Sequence, residues 1–324
     1  MITITNDLKK KVEIITSRQR EFLSLNREAM QSENFDYFRL KKEAKEDETY
    51  PQIFVLQWQP AVAAKVLISE YKDLSKPISL FGVGECQITN LKSHTLYFIQ
   101  VVAENDSSEI GSFITEDAPV RFLKVDGLVN VRDSGGRKTK DGLPIKQGML
   151  YRGTEMNSHV SITKEGLSTM QDVMKIQTVI DLRGSGELVG DVYKRNYKNI
   201  PSCAYAPLLS QKEEICKIFK VLSEERNYPI YYHCWGGADR TGTIAFLIGA
   251  LLGEDEKALI DDYEITSLSI WGIRSRNLPL FKDFLQKLNE FEGKNLTQKT
   301  ENCLLALGVA KEQLKRIKTI MIEN

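Results

Sequence analysis

His233-Cys234-Trp235-Gly236-Gly237-Ala238-Asp239-Arg240-Thr241 (HCWGGADRT) is the stretch on which the reading of this chain turns. Five residues separate the cysteine from the arginine, and two of them are glycine. The apolar run Tyr228 to Tyr232 (YPIYY) precedes it and is expected to be a strand. The run Thr241 to Leu252 (TGTIAFLIGALL) follows and is expected to be a helix. A strand, a glycine-bearing loop and a helix in that order make an anion cradle.

The residue types suit that role. Gly236 and Gly237 allow the loop to curl until its amides converge, and the helix beginning near Thr241 adds its positive end. A cysteine at such a terminus is favoured as thiolate, the form that attacks. The planar fork of Arg240 suits two phosphoryl oxygens. The expected reaction is in-line attack of Cys234 on phosphorus, giving a cysteinyl-phosphate that water hydrolyses. Arg240 and the loop residues Trp235, Gly236, Gly237, Ala238 and Asp239 would bind the phosphate and carry the developing charge. Thr241 is placed to hydrogen-bond the sulfur as it leaves. His233 is expected to orient the cysteine backbone or tune the thiol rather than act as a base.

HCWGGADRTG resembles the HCxxGxxRTG signature of cysteine-dependent protein tyrosine and dual-specificity phosphatases. More narrowly it resembles their bacterial and fungal branch, whose loop reads HCxxGKDRTG. Asn130-Val131-Arg132-Asp133-Ser134-Gly135-Gly136, then DGLPIKQGMLYRG (141–153), match that branch. So does Thr178-Val179-Ile180-Asp181-Leu182-Arg183, followed by Glu187. The likeness spans about 120–324. It implies a tyrosine-phosphatase-like α/β domain acting on phosphotyrosine, with dual specificity toward phosphoserine and phosphothreonine also open.

Ala238 stands where the branch has lysine, which removes a charge useful for highly phosphorylated head groups. Aspartate immediately before the arginine also resembles myotubularin-type phosphoinositide phosphatases, so phosphoinositides and inositol polyphosphates remain alternative substrates. Two aspartates qualify as the general acid that protonates the leaving alkoxide. The branch implies Asp181, and the myotubularin likeness implies Asp239; the two stand nearly level, Asp181 slightly ahead. Arg132, Asp133 and Arg183 read as support for the loop, with Glu187 beside them.

The remaining sequence divides by texture. Residues 1–48 are charge-rich, with one candidate helix over Lys9 to Glu33 and a solvated linker at 41–48. Residues 49–118 carry short β-rich runs, IFVLQW (53–58), AKVLISEY (64–71), LYFIQVVAE (96–104) and IGSFITE (110–116), and are expected to form a small all-β sandwich. Trp58 in an early strand, with Leu91, Thr95 and Tyr97 set as in a tyrosine corner, resembles a fibronectin type III module. Such a module would bind protein or glycan.

Residues 119–324 alternate strands at 149–153, 177–182, 204–208 and 229–233 with helices at 162–175, 211–225, 241–253, 256–268, 278–291 and 311–322. That alternation predicts a central, mainly parallel sheet flanked by helices.

Composition narrows the chemistry. The 44 basic and 44 acidic residues cancel, which argues against a broad nucleic-acid surface. Five scattered cysteines (86, 203, 216, 234, 303) form no CxxC pair, and three histidines are too few for a metal centre, so the chemistry is expected to need no metal and no cofactor. No apolar run suggests a signal peptide or a membrane span. Cytoplasmic location is the default expectation; a removed leader would make it secreted or periplasmic. The contrasting class is a catalytically silent phosphate-binding module, disfavoured because nucleophile, arginine, threonine and acid candidates are all present.

Overall fold

A computed structural model describes residues 1–24, 47–187, 193 and 195–323. The chain forms two compact units. One comprises Met1–Thr16 with Pro51–Leu123, the other Ser17–Tyr50 with Lys124–Asn324.

The first unit is all β. Strands β1 (Thr3–Ile4), β2 (Phe54–Gln59) and β5 (Glu85–Ile88) make one sheet in the order β1-β2-β5. Strands β4 (Ile78–Val83), β3 (Ala63–Ser69), β6 (Leu96–Val102) and β7 (Gly111–Ile114) make the other in the order β4-β3-β6-β7, and all pairings are antiparallel. A two-residue strand, β8 (Arg121–Phe122), ends the unit. Alternate residues turn inward, among them Leu56, Trp58, Val66, Ile68, Tyr97, Ile99 and Val101. Phe54 on the first sheet meets Phe113 on the second at 5.4 Å between rings, so the two sheets share this core.

The N-terminal stretch belongs to this unit. Thr3 and Ile4 pair with Gln59 and Trp58, and Val12 bridges to Thr115. Of the helix expected over Lys9 to Glu33, the described residues form α1 (Ser17–Ser24) and no helix before it; residues 25–33 of that expectation, and most of the 41–48 linker, lie outside the described residues. Before Ser17 the amides of Ile14 and Ile15 both donate to Glu116 Oε1, at 2.7 and 3.1 Å, a competing use of the donors a helix would need.

In the second unit the strands β9 (Arg132–Asp133), β10 (Leu150–Gly153), β11 (Thr178–Asp181), β12 (Asn196–Asn199) and β13 (Ile230–His233) stand in the order β12-β11-β13-β10-β9. The first four run parallel and β9 is antiparallel to β10. Every residue of β10, β11 and β13 is buried, as expected of strands covered on both faces. Register sets His233 beside both Gly153 and Asp181, so three strands finish at one level where Cys234 begins its loop. In open α/β sheets that carboxyl edge is where ligands bind.

The helices are α2 (Lys164–Ser168, continued by a π-helical turn), α3 (Lys212–Leu222), α4 (Asp239–Leu252), α5 (Glu256–Glu264), α6 (Pro279–Asn289), α7 (Leu296–Ala306) and α8 (Lys311–Met321). Helix α4 is buried along most of its length, and Phe246 on it packs edge-on against Phe281 and Phe284 of α6.

The strand expected at 204–208 is not formed. Pro207 lacks the donor a central strand requires, and Ala206–Ser210 is a 3₁₀ turn instead. The sheet position goes to β12, a polar edge strand without an apolar run. Helix α7, which the sequence pattern did not suggest, starts at Asn295, whose side chain caps the Gln298 amide. No helix among the described residues is long and apolar enough to cross a membrane.

Candidate active site

The backbone of the loop between Cys234 and Arg240 is held through four successive carbonyls. Trp235 O accepts from the Glu155 amide at 2.9 Å and Gly236 O from Asn130 Nδ2 at 2.9 Å. Gly237 O accepts from Arg152 Nη2 at 2.7 Å, and Ala238 O from the Gly242 amide at 2.9 Å, the first turn of α4. In a planar peptide the C=O and the next N–H point opposite ways. Four successive carbonyls bound on the protein side therefore turn the amides of Gly236, Gly237, Ala238 and Asp239 the other way.

Glycine is required twice here. Gly237 lies at φ +63°, and an added Cβ would come within 2.4 Å of Gly153 O. At Gly236 the Cβ would meet the Trp271 ring at 2.6 Å. Both are sites of close approach that a larger residue cannot share.

Arg240 is aimed by Glu187. Its Nη1 donates to Glu187 Oε2 at 2.7 Å and its Nη2 to Oε1 at 3.3 Å. Partial burial opposes the guanidinium's charge; the Glu187 hydrogen bond, with Cys234, outweighs it and lifts the group above its usual value. That hydrogen bond in turn holds the Glu187 carboxyl below the usual carboxylate range.

Trp235 is partly exposed, with Arg240 5.5 Å from its ring on one side and His159 5.1 Å away on another. The Trp271 ring lies 5.8 Å from His159. The lip of the loop is thus aromatic, and His159 Nδ1 is pinned at 2.8 Å to the buried Glu155.

The two acid candidates sit in different surroundings. Asp181 is fully buried. It accepts from the Arg183 amide, from Arg183 Nε and Nη2, and from Tyr197 Oη at 2.7 Å. Burial pushes its pKa up, yet the Arg183 hydrogen bonds and nearby His233 overcome this and hold it below the usual range. Arg183 and Tyr197 thus enclose the Asp181 carboxyl. Asp239 stands on the loop with a side chain 39% exposed, held by Arg274 Nε at 2.8 Å, Arg274 Nη2 at 2.7 Å and the Tyr205 hydroxyl.

His233 is buried, with Nδ1 3.1 Å from Cys234 O, and burial pushes its pKa down. Thr241 Oγ1 is buried and lacks a hydrogen-bond partner among the described residues. Arg183 ties Asp181 to Glu155, 2.7 Å from each. Asp133 closes a turn, accepting from the amides of Gly135 at 2.8 Å and Gly148 at 2.6 Å. Arg132 pairs with Asp262 at 2.8 Å.

Chemically, convergent amides, a fixed guanidinium and a sulfur at the base can receive a tetrahedral oxyanion. No cluster of three or more His, Cys, Asp or Glu side chains suited to a metal occurs among the described residues.

The sequence profile of the tyrosine phosphatase family matches residues 123–317, more than half of the chain. The chain belongs to the tyrosine phosphatase family. No curated protein matches it. Among solved structures, this phosphatase is similar to the core catalytic domain of the PP-IP phosphatase SIW14 from S. cerevisiae in complex with citrate. The identity is 14% and the TM-score 0.32, covering 46% of this chain and 85% of that one. A second structure, of the Siw14 catalytic core, gives 14% identity and a TM-score of 0.31, covering 56% and 92%.

Sequence reasoning assigned no role to the groups that hold the phosphatase loop from behind, the side chains of Asn130, Arg152 and Asp262 and the Glu155 amide, whereas the segment Trp271 to Arg274 was expected either to line the pocket or to serve packing. Asn130 lies inside a block already singled out, and its φ of +55° is a conformation asparagine tolerates.

Proposed function

We propose that the protein is a cysteine-dependent phosphomonoesterase whose preferred substrate is phosphotyrosine in a protein. The observation that supports this most strongly is the outward tethering of carbonyls 235–238 around Cys234, with Arg240 already aimed by Glu187. The phosphoryl group enters the bowl and its equatorial oxygens meet the loop amides and Arg240. The Cys234 sulfur attacks phosphorus in line, the P–O bond to the leaving group breaks, and the enzyme is left as a cysteinyl-phosphate. Water then attacks phosphorus and expels the sulfur, with the Thr241 hydroxyl donating to it.

The proton for the leaving oxygen comes from Asp239 in this reading. Its carboxyl stands on the loop itself, 39% exposed, held by Arg274 Nε at 2.8 Å and Nη2 at 2.7 Å. Asp181 acts structurally, tying Arg183 beneath the loop.

Phosphotyrosine is favoured by the lip. Trp235, His159 and Trp271 offer ring faces to an aryl group. The arginines around the bowl are already paired, Arg240 with Glu187, Arg274 with Asp239 and Arg183 with Asp181, and Ala238 adds no charge. Little positive charge is left over for a polyphosphate. The all-β unit's two antiparallel sheets, and the Lys92 amide donating to Tyr97 Oη at 2.9 Å as in a tyrosine corner, support the reading of a fibronectin type III-like module. We assign it a protein- or glycan-binding role.

A phosphate-release panel tests the reading, covering phosphotyrosine, phosphoserine and phosphothreonine peptides, phosphoinositides and inositol hexakisphosphate. Phosphotyrosine peptides should show the highest kcat/KM. A lead for phosphoinositides or inositol polyphosphates would replace phosphotyrosine, and release from none of them would leave a silent binding module.

A further inference from the structure

Behind the loop, five groups close a ring. Asn130 Nδ2 donates to Gly236 O at 2.9 Å, and Asn130 Oδ1 accepts from Arg132 Nη1. Arg132 Nε donates to Asp262 Oδ1 at 2.8 Å, and Arg152 Nη1 to Asp262 Oδ2 at 2.6 Å. Arg152 Nη2 returns to the loop at Gly237 O, 2.7 Å away. All four side chains are buried. The amide of Asn130 can face only one way in this ring, because a guanidinium offers only donors and a carbonyl only acceptors.

We propose that Asn130 and Arg152 are positioning residues for the reaction, setting the inward direction of the Gly237 and Ala238 amides, with Asp262 holding the two in register. Gly236 O and the Gly237 N–H belong to one peptide plane, and Gly237 O and the Ala238 N–H to the next. Fixing each carbonyl from outside therefore fixes a donor inside. The Arg152 bond carries a further effect: a charged donor on Gly237 O polarises that peptide and strengthens the Ala238 N–H as a donor to an anion.

Asp262 can serve two arginines because it stays ionised. Burial pushes its pKa up, but Arg132, Arg152 and Arg137 together force it far below the usual carboxylate range. Asn130 itself is held by its amide, which donates to Thr49 Oγ1 at 2.7 Å, and its left-handed backbone restricts what can replace it.

That backbone supplies the test. Asn130→Gly keeps φ +55° accessible and removes the donor. Asn130→Asp keeps the partner of Arg132 but sets a carboxylate oxygen against Gly236 O. The readouts are p-nitrophenyl phosphate kinetics, the orthovanadate inhibition constant and thermal unfolding. By analogy with loss of one oxyanion donor, kcat should fall about 10²-fold in Asn130→Gly. Vanadate inhibition should weaken about tenfold, roughly one oriented hydrogen bond to an anion.

Asn130→Asp should be at least as stable as Asn130→Gly yet less active, an inversion that a merely structural role would not produce. Arg152→Lys keeps the pairing with Asp262 and loses the second donor, so it should lower kcat and vanadate affinity even if the Asn130 variants fail to fold. Folded variants with wild-type kcat and vanadate inhibition, or activity that only follows stability, overturn the proposal. It rests on the loop being a phosphate receptor, so the wild-type protein is measured first. Absence of turnover and of vanadate inhibition overturns that reading; their presence with unaltered variants overturns only this inference.

Discussion

Replacing Gly237 by alanine separates two physical effects at one position. The residue sits at φ +63°, where a Cβ costs roughly 1–2 kcal/mol. The added carbon would also lie 2.4 Å from Gly153 O and 2.5 Å from its carbonyl carbon, both backbone atoms of the central strand β10, which cannot swing aside. Such overpacking adds about 1–3 kcal/mol. The sum, about 2–5 kcal/mol, corresponds to a fall in Tm of about 5–15 °C for a domain of this size. Relief comes only by lifting the loop off β10, which stretches the Arg152 bond and misplaces the bowl, so kcat/KM should fall about 10²-fold.

Gly142→Ala is the control. Its φ of +83° carries the backbone penalty, but nothing lies within 4 Å of the added carbon. It should lose only about 1 kcal/mol and keep full activity. Differential scanning fluorimetry and p-nitrophenyl phosphate kinetics measure both. Gly237→Ala with wild-type Tm and kcat/KM, or Gly142→Ala as damaging as Gly237→Ala, would refute the close-approach argument.

Glu187→Gln keeps shape but removes the charge that aims Arg240; kcat/KM should drop about tenfold, given the partial exposure of the pair, with Tm little changed. In Asp239→Asn the alkaline limb of the pH–rate profile should vanish for alkyl leaving groups and persist weakly for p-nitrophenol, while the same profile for Asp181→Asn should keep that limb. Because the folded pKa of Asp181 is depressed, its stabilisation is complete above the ordinary carboxylate value near 4 and is lost as pH falls through the folded value. The decline of Tm below about pH 4 should therefore be shallower in Asp181→Asn than in wild type. Tyr97→Phe leaves the Lys92 amide without its acceptor and should cost about 1–3 kcal/mol, read as a lower unfolding temperature of the all-β unit with catalysis intact.

The loop and its flanking elements were legible because their signals are local: an apolar strand, two glycines and an apolar helix within 25 residues, Tyr228 to Leu252. The residues behind the loop were not, because their partners are remote. Asn130 reaches Gly236 across 106 positions, Arg152 reaches Gly237 across 85, and Arg132 reaches Asp262 across 130. No spacing rule connects such pairs. The surroundings that distinguish Asp181 from Asp239 were hidden for a related reason, since sequence shows that a carboxyl ends a strand but not that Arg183 and Tyr197 enclose it. The AYAPL run misled by its apolar content, where Pro207 forbids the ladder. Strand β1 was invisible because two residues carry no period; its evidence is the pairing with Gln59 and Trp58.

The most direct measurement follows ³²P from a labelled phosphotyrosine peptide into the enzyme during a rapid quench. The account predicts one labelled site, Cys234, with labelling and turnover both abolished in Cys234→Ser. Label on any other residue, or sustained turnover by Cys234→Ser, would contradict it.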